Sequence, residues 1–116
     1  MRYLCLYKPG RDSSAPPTQE EMTTMGALIG EMMQKGVLLS TEGCKSSKHG
    51  ARVTLDNGKY TVTDGPFAEA KEIVGGVAII KVDSKAEAIE WTKRFLSVAG
   101  TGTSEILEIN EPPQAR

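Results

Sequence analysis

Asp64 is the residue whose setting most favours a chemical role in this sequence. It stands in the run Thr-Asp-Gly-Pro-Phe at 63–67, where an alternating strand pattern breaks off. A carboxylate at a strand end can act as an acid, a base or a polar anchor in a cleft, and Phe67 would supply an apolar wall. The same run also suits a tight turn, because aspartate accepts amide hydrogen bonds, Gly65 permits unusual dihedrals and Pro66 fixes the next one. Both interpretations stay open at this level.

His49 is the only histidine in the chain, and it is the natural partner to test against Asp64. The polar segment 42–50 and the turn at 63–67 flank one predicted hairpin, so the two side chains could come within reach of each other. An aspartate that orients an imidazole makes a general base near neutral pH. The simpler alternative is an exposed loop histidine without a chemical role.

Three cations near these segments, Lys45, Arg52 and Lys71, could bind a carboxylate or phenolate oxygen of a small molecule. Solvated surface charge explains them about as well. Cys44 lies close to Lys45, which could lower the pKa of its thiol, although an unreactive loop thiol is the simpler interpretation. Cys5 lies in an apolar run and is expected to be buried.

Composition excludes several function classes. Fourteen Lys and Arg against fifteen Asp and Glu give a net charge of −1. The chain therefore lacks the excess of positive charge that binding to nucleic acid requires. The aromatic residues show no basic interleaving, which argues against an RNA-binding domain of ferredoxin-like fold. One histidine cannot build a clustered zinc or iron site, and no phosphate-binding glycine loop follows a strand, so no metal or organic cofactor is expected.

The location expected from the sequence is cytoplasmic. The apolar run at the N-terminus is too short for a signal peptide or a membrane span. Two cysteines without CxxC spacing fit a reducing compartment better than a disulfide scaffold.

Hydrophobic spacing defines the elements that must position these residues. It predicts strands at 2–7, 37–40, 73–82 and 105–109, and hairpin strands at 52–55 and 59–62 around Asn57-Gly58. Helices are predicted to begin at Thr18 and Ser84, since each is followed three residues later by a glutamate that completes a capping box. Apolar stripes follow at helical spacing, Met22, Met25, Ile29, Met32 and Met33 in the first helix and Ala88, Trp91, Phe95 and Val98 in the second.

The order of elements repeats one unit, strand–helix–strand, with the hairpin inserted between the two copies. Two such units form an antiparallel sheet with both helices on one face, the ferredoxin-like split βαβ arrangement of the α+β class, in a single domain over residues 1–116. The runs 3–7 and 77–80 are apolar at successive positions, so both faces of the sheet need burial. A second copy is the economical cover for the face without helices, and we expect a homodimer packed sheet to sheet.

The block Thr-Asp-Gly-Pro-Phe-Ala-Glu-Ala-Lys-Glu at 63–72, followed by Ile-Val-Gly-Gly at 73–76, resembles the DGPF group of the YCII-related domain family. Further matches, Gly-Val-Leu-Leu at 36–39, Glu-Gly at 42–43 and Gly-Ala-Arg-Val at 50–53, extend the resemblance over nearly the whole chain. It implies a dimeric α/β barrel of two ferredoxin-like protomers, with a cleft lined by the signature and Asp64 as its acidic residue.

The resemblance also implies functions. Better-described branches of the family suggest a small enzyme with a histidine–aspartate pair and no organic cofactor, and some DGPF members are associated with extracytoplasmic sigma factors. Relatives often place a histidine shortly after the Glu-Gly pair, where this chain has Lys45, and His49 stands where a lysine is usual.

Two classes of function follow. The first is a cofactor-independent enzyme, a lyase, isomerase or dehalogenase-like catalyst for a small oxygenated or aromatic molecule, with Asp64 as proton-transfer group and His49 as its partner. The second is a non-catalytic ligand-binding or regulatory module, linked to a sigma factor. An Asp64–His49 pair within hydrogen-bond reach in an enclosed pocket favours the first class, and a cleft without an acid–base pair favours the second.

Overall fold

The computed structural model describes residues 1–10, 17–67 and 73–112. Within these ranges it contains six strands, two α-helices and one short 3-10 turn at Ser47–His49. The strands and helices are β1 (Arg2–Pro9), α1 (Gln19–Gln34), β2 (Leu38–Gly43), β3 (Ala51–Asp56), β4 (Lys59–Asp64), β5 (Gly76–Lys81), α2 (Lys85–Ala99) and β6 (Gly102–Glu108). No helix in this part of the chain is long and apolar enough to cross a membrane.

The main sheet has four strands in the order β2-β5-β1-β6, and every neighbouring pair is antiparallel. This is the predicted ferredoxin-like α+β arrangement, with both helices packed on one face. Strands β3 and β4 form a separate two-stranded sheet around a tight turn. Asn57 and Gly58 take positive φ angles of 51° and 74°. A two-residue hairpin turn with Asn-Gly at its centre requires positive φ at both positions, so the hairpin prediction is confirmed.

The start of α1 follows the prediction, and its apolar stripe differs in part. Thr18 Oγ1 accepts a hydrogen bond from the Glu21 amide at 3.1 Å, and the Thr18 amide donates to Glu21 Oε1 at 2.9 Å, which is a complete capping box. Met22 and Met33, both expected in the stripe, are about half exposed. The buried face is built instead by Met25, Leu28, Ile29 and Met32, at the i, i+3, i+4, i+7 spacing of one helix side.

Strand β2 runs further than predicted and β5 begins later. Glu42 and Gly43, expected in a loop, pair with Val77 and Gly76 at the end of β2. Ile73 is buried but precedes the strand, which begins only at Gly76. Polar residues can continue β2 because their backbone groups form hydrogen bonds with β5. No local sequence pattern predicts that pairing.

The core lies between the helices and one face of the sheet. It contains Tyr3, Leu28, Met32, Val37, Leu38, Ile80, Val82 and Ala88. The opposite face, called here the open face, carries Leu4, Leu6, Val77, Ile79 and Leu107, which neighbour one another in the strand register. The molecule is only 19 Å thick in its shortest dimension, as one sheet and one helix layer require, and nothing among the described residues covers the open face.

Candidate functional site

A pocket of about 310 Å³ lies between the helix layer and the sheet. Its lining comes from β1, β2, β5 and β6 on the sheet side and from α1 and α2 on the helix side, and includes Cys5, Tyr7, Met25, Leu28, Ile29, Met32, Leu38, Thr41, Gly43, Gly76, Ala78, Ile80, Trp91, Thr92, Phe95 and Ser104. Most of these side chains are apolar, as is usual for a site that binds a small organic molecule.

Small residues of the sheet create the space. Gly76 lies between Gly43 and Tyr7 in neighbouring strands, and Ala78 lies two residues further along β5 on the same face. Because these positions carry little or no side chain, the helices above them leave a gap. The other end of the sheet is filled, since Ile80 there is almost completely buried. The smallest lining residues of the sheet therefore lie at the end where β2 stops and β5 begins.

Aromatic rings form one wall of the pocket. Tyr7 and Phe95 meet edge to face, with ring centroids 5.1 Å apart. Trp91 is held from outside by two cations, with Arg94 Cζ 5.0 Å and Lys35 Nζ 5.5 Å from its ring centroid. These contacts fix the orientation of the rings, so the wall is preformed for a flat ligand.

Several polar groups in the lining are hydroxyls. Thr41 Oγ1 donates to the Val77 carbonyl oxygen at 3.3 Å, and Thr92 Oγ1 donates to that of Ala88 at 2.8 Å. Each hydroxyl keeps its oxygen lone pairs as acceptors for a ligand donor. Tyr7 Oη makes only a long contact, 3.5 Å to the Thr101 carbonyl oxygen, so its hydroxyl can turn towards a ligand.

No charged side chain points into this pocket from the part of the chain that the structure describes. Glu42 belongs to the lining, but it pairs with Val77 on the open-face side of the sheet, and its side chain is exposed. The Cys5 thiol is half-buried, and this burial raises its pKa to about 11, so it is neutral at physiological pH. The site therefore suits an uncharged molecule, because a buried charge would find no counter-charge.

The predicted catalytic pair lies outside this pocket, at the base of the β3–β4 hairpin. Asp64 ends β4 opposite Ala51, and His49 ends the 3-10 turn that precedes β3. Both side chains are exposed, and no hydrogen bond or ion pair joins them in the described structure. In the same ranges, no three His, Cys, Asp or Glu side chains come together as a metal site. Their catalytic role stays a prediction.

The structure brings together two of the predicted binding residues. The Arg52 guanidinium lies over the Phe67 ring, with Cζ 4.3 Å from the centroid. The Phe67 amide donates to Ser47 Oγ at 3.0 Å. This bond connects the turn at 63–67, called here the signature turn, to the 3-10 turn. Lys45 is exposed in the connection that follows β2, and Lys71 lies outside the described residues.

The signature turn packs closely enough to require glycine. The Gly65 amide donates to the Gly50 carbonyl oxygen at 3.0 Å, and the bond between Gly65 and Pro66 is cis. A Cβ at position 65 would overlap the Ser47 carbonyl oxygen. Glycine is thus needed at position 65 for lack of space, and not for the unusual dihedral expected from the sequence, because the positive φ angles of the described glycines are at Gly36, Gly58 and Gly100.

The sequence interpretation missed the pocket. Trp91 and Phe95 were expected only as core, and Tyr7, Thr41 and Ser104 were not singled out. One signal was available, since the small residues Gly75, Gly76 and Ala78 interrupt an otherwise bulky strand. Its meaning depends on which residues lie opposite in the sheet and under the helices, and those partners come from distant parts of the chain.

Comparisons with known proteins agree with this architecture. The model of the YCII-related domain family matches residues 1–111. No curated protein matches the chain in sequence. Among solved structures, the chain is similar to 5-chloro-2-hydroxyhydroquinone dehydrochlorinase (TftG) from Burkholderia phenoliruptrix AC1100, in complex with 2,5-dihydroxybenzoquinone, with a TM-score of 0.51 and 15% identity over 97% of this chain and 96% of that one. At this identity the similarity concerns the fold.

Proposed function

Because this chain belongs to the YCII-related domain family, we propose that it is a small-molecule-binding protein whose ligand occupies the pocket between the helices and the sheet. The observation that carries the proposal is the pocket, with its aromatic wall, its hydroxyl groups and its lack of charged side chains in the described residues. The ligand is an uncharged aromatic or quinone-like molecule with hydroxyl or carbonyl substituents.

The volume of the pocket sets the size of this ligand. A cavity of roughly 150 Å³ is enough to hold benzene, and this pocket measures about 310 Å³. One substituted ring, or two fused rings, therefore fills it. Trp91 and Phe95 contact the ring faces and edges, and Thr41 and Ser104 lie on the sheet side where ring substituents would end.

Calorimetric titration with 2-naphthol and with naphthalene-2-sulfonate tests this proposal, since the two probes share a ring system and differ in charge. We expect 2-naphthol to bind at least tenfold more tightly than the sulfonate. Ala78→Phe adds a ring to the lining of the pocket and should weaken 2-naphthol binding at least tenfold. Ala27→Phe makes the same change on the exposed surface of α1 and should leave binding unchanged. Equal binding by Ala78→Phe and the parent protein would contradict the proposal.

Catalytic turnover is the second candidate, and two observations favour it. The protein of similar fold is a dehydrochlorinase that was solved with 2,5-dihydroxybenzoquinone. Asp64 also stands at the end of β4, and its carboxylate makes no hydrogen bond or ion pair in the described structure. In this proposal Asp64 transfers a proton without an organic cofactor, His49 assists it, and Phe67, Arg52, Lys45 and Lys71 contact the substrate.

A regulatory role without turnover is the remaining alternative, with an extracytoplasmic sigma factor as the partner that the family resemblance suggests. The pocket supports ligand binding equally well in this case, because none of its side chains forms an acid–base pair in the described part of the chain. Binding of 2-naphthol without conversion of any hydroxylated aromatic substrate would favour this role over the enzymatic one.

The protein acts in our proposal as a cytoplasmic homodimer. The open face supports the dimer, because Leu4, Leu6, Val77 and Ile79 are only half-buried and Leu107 is 53% exposed. An antiparallel sheet commonly turns a polar face to water, and a contiguous apolar face instead indicates an interaction surface.

A further inference from the structure

The β3–β4 hairpin, called here the arm and formed by residues 51–64, stands apart from the core. Every strand residue of the arm is exposed except Arg52, which is half-buried. Two hydrogen bonds lie just beyond its base, where the Gly65 amide donates to the Gly50 carbonyl oxygen and the Phe67 amide donates to Ser47 Oγ. Beyond Arg52, whose guanidinium lies over the Phe67 ring, the strand residues of the arm are exposed in the described structure.

One face of the arm is apolar. Val53 pairs with Val62 and Leu55 pairs with Tyr60, so all four side chains lie on the same side of the hairpin. They are between 58% and 72% exposed. The opposite side carries polar pairs, among them Thr54 with Thr61. Alternation of this kind is the pattern of a hairpin with one face buried, yet in the single protomer the apolar face meets solvent.

The exposed apolar face needs a cover. The four side chains expose roughly 400 Å² of surface, a patch of the size that marks an interaction site on a protein. An isolated two-stranded hairpin is marginally stable in water unless its apolar face packs on something. Burial of about 400 Å² at roughly 25 cal/mol per Å² is a substantial gain for so short an element.

We propose that the apolar face of the arm packs against a second copy of this chain and forms part of the homodimer interface. The inference rests on the homodimer proposed above and adds a specific element to it. The area favours this occupant, because a stable interface buries about 800 Å² on each partner. The apolar face of the arm, at roughly 400 Å², would supply about half of that area.

Charge is also compatible with a second copy. The chain has a net charge of −1, so two copies repel each other little. At the edges of the open face, Lys8 pairs with Glu105 at 2.7 Å and Arg2 pairs with Glu111 at 2.8 Å, so both signs are present and locally balanced. Between the base and the tip of the arm, no strand residue on its apolar face is charged.

Sedimentation of matched arm variants tests the proposal. Leu55→Asp places a charge on the apolar face, and Thr54→Asp makes a comparable change on the polar face of the same strand. We expect the dimer dissociation constant to rise at least 100-fold for Leu55→Asp and less than threefold for Thr54→Asp. Trp91 is the single tryptophan, and its fluorescence emission should be the same in both variants as in the parent protein. Unchanged emission shows that the core of each variant remains folded.

Hydrogen exchange of the unmodified protein gives an independent measurement. Amides of residues 52–63 should be protected at concentrations where the dimer forms and should exchange much faster after dilution to monomer, while those of β1 and β5 stay protected. A dimer that Leu55→Asp does not weaken, with arm exchange independent of concentration, would overturn the arm proposal and leave the homodimer intact. A parent protein that is monomeric at 100 µM would overturn both. Neither result affects ligand binding in the pocket, which calorimetry measures separately.

Discussion

At the scale of single residues, some residues of the signature segment are needed for the fold and others are not. Gly65 belongs to the first group, because any side chain there meets the Ser47 carbonyl. Phe67 belongs to it as well, because its backbone amide donates a hydrogen bond to Ser47 Oγ and its ring contacts Arg52. The carboxylate of Asp64 makes no hydrogen bond or ion pair in the described structure. A charged group that the fold does not use is a candidate for function.

Asp64→Asn should therefore leave the stability of the protein unchanged within about 0.5 kcal/mol, the usual range for an exposed site without partners. Denaturant unfolding at pH 7 measures this difference. Gly65→Ala is the contrasting variant in the same turn, and it should lower the unfolding free energy by about 1–3 kcal/mol, as overpacking does.

The stable Asp64→Asn variant then tests catalysis. If the protein turns over a halogenated or hydroxylated aromatic substrate with Asp64 as the proton-transfer group, the variant should lose at least 100-fold in kcat while it still binds 2-naphthol. A loss of 2 kcal/mol or more in stability would show instead that the carboxylate supports the turn through charge-assisted hydrogen bonds.

At the scale of elements, the two helices are joined across the outside of the pocket by one carboxylate. Glu31 of α1 accepts hydrogen bonds from both terminal nitrogens of Arg94 in α2, at 2.6 and 2.7 Å, and from Lys35 at 3.1 Å. The same two cations contact the Trp91 ring. The ion cluster thus holds the helix spacing and the aromatic wall together.

The pKa of Glu31 gives this cluster a testable pH dependence. The hydrogen bonds from Arg94, followed by those from Lys35, lower the pKa of Glu31 from 4.5 to about 2. A carboxyl whose pKa is depressed in the folded state contributes stability above its unfolded pKa, and this contribution is lost as the pH falls through the folded value.

Glu31→Gln should consequently be less stable than the parent at pH 6, and the difference should shrink between pH 4.5 and pH 2. Thermal unfolding across this pH range provides the measurement. Glu90→Gln removes an exposed carboxylate that pairs only with Lys93, at 3.2 Å, and serves as the control with little effect. A difference between Glu31→Gln and the parent that stays constant down to pH 2 would contradict the assigned cause.

At the scale of the whole molecule, one protomer leaves two apolar surfaces in contact with water. The open face lies on the side of the sheet opposite the helices. The arm extends from the edge of the sheet at which β2 ends. The residues that the structure describes form one sheet and one helix layer, with a shortest dimension of 19 Å, and no third layer among them lies over the open face. In our proposal, association of two copies buries it.

Ile79→Glu should break this association, because it places a charge in the middle of the open face beside Leu4. Light scattering at micromolar concentration is expected to show a dimer for the parent and a monomer for this variant. Ala27→Glu on the exposed side of α1 is the control and should remain dimeric. A monomeric parent protein, or an Ile79→Glu dimer of unchanged affinity, would contradict sheet-to-sheet packing.

Local signals were sufficient for the elements and for their order. Thr18 with Glu21 and Ser84 with Glu87 mark helix starts that the structure confirms, because each cap is made within one helical turn. Only the first is a complete capping box: at the second helix, the Glu87 carboxylate accepts from the Asp83 amide and not from that of Ser84. Asn57-Gly58 marks the hairpin for the same reason, since its positive φ angles belong to the turn itself. Two repeated units then leave few topologies, and the ferredoxin-like sheet follows from them.

The tertiary structure alone decided where the pocket lies and what it contains. Gly43, Gly76 and Tyr7 are distant in the chain and adjacent in the sheet, so the space above them depends on strand register and helix position. The separation of Asp64 from this pocket has the same origin, because it follows from the direction in which the arm leaves the sheet. Short-range patterns determine local conformation, whereas a cavity is a property of contacts between segments far apart in sequence.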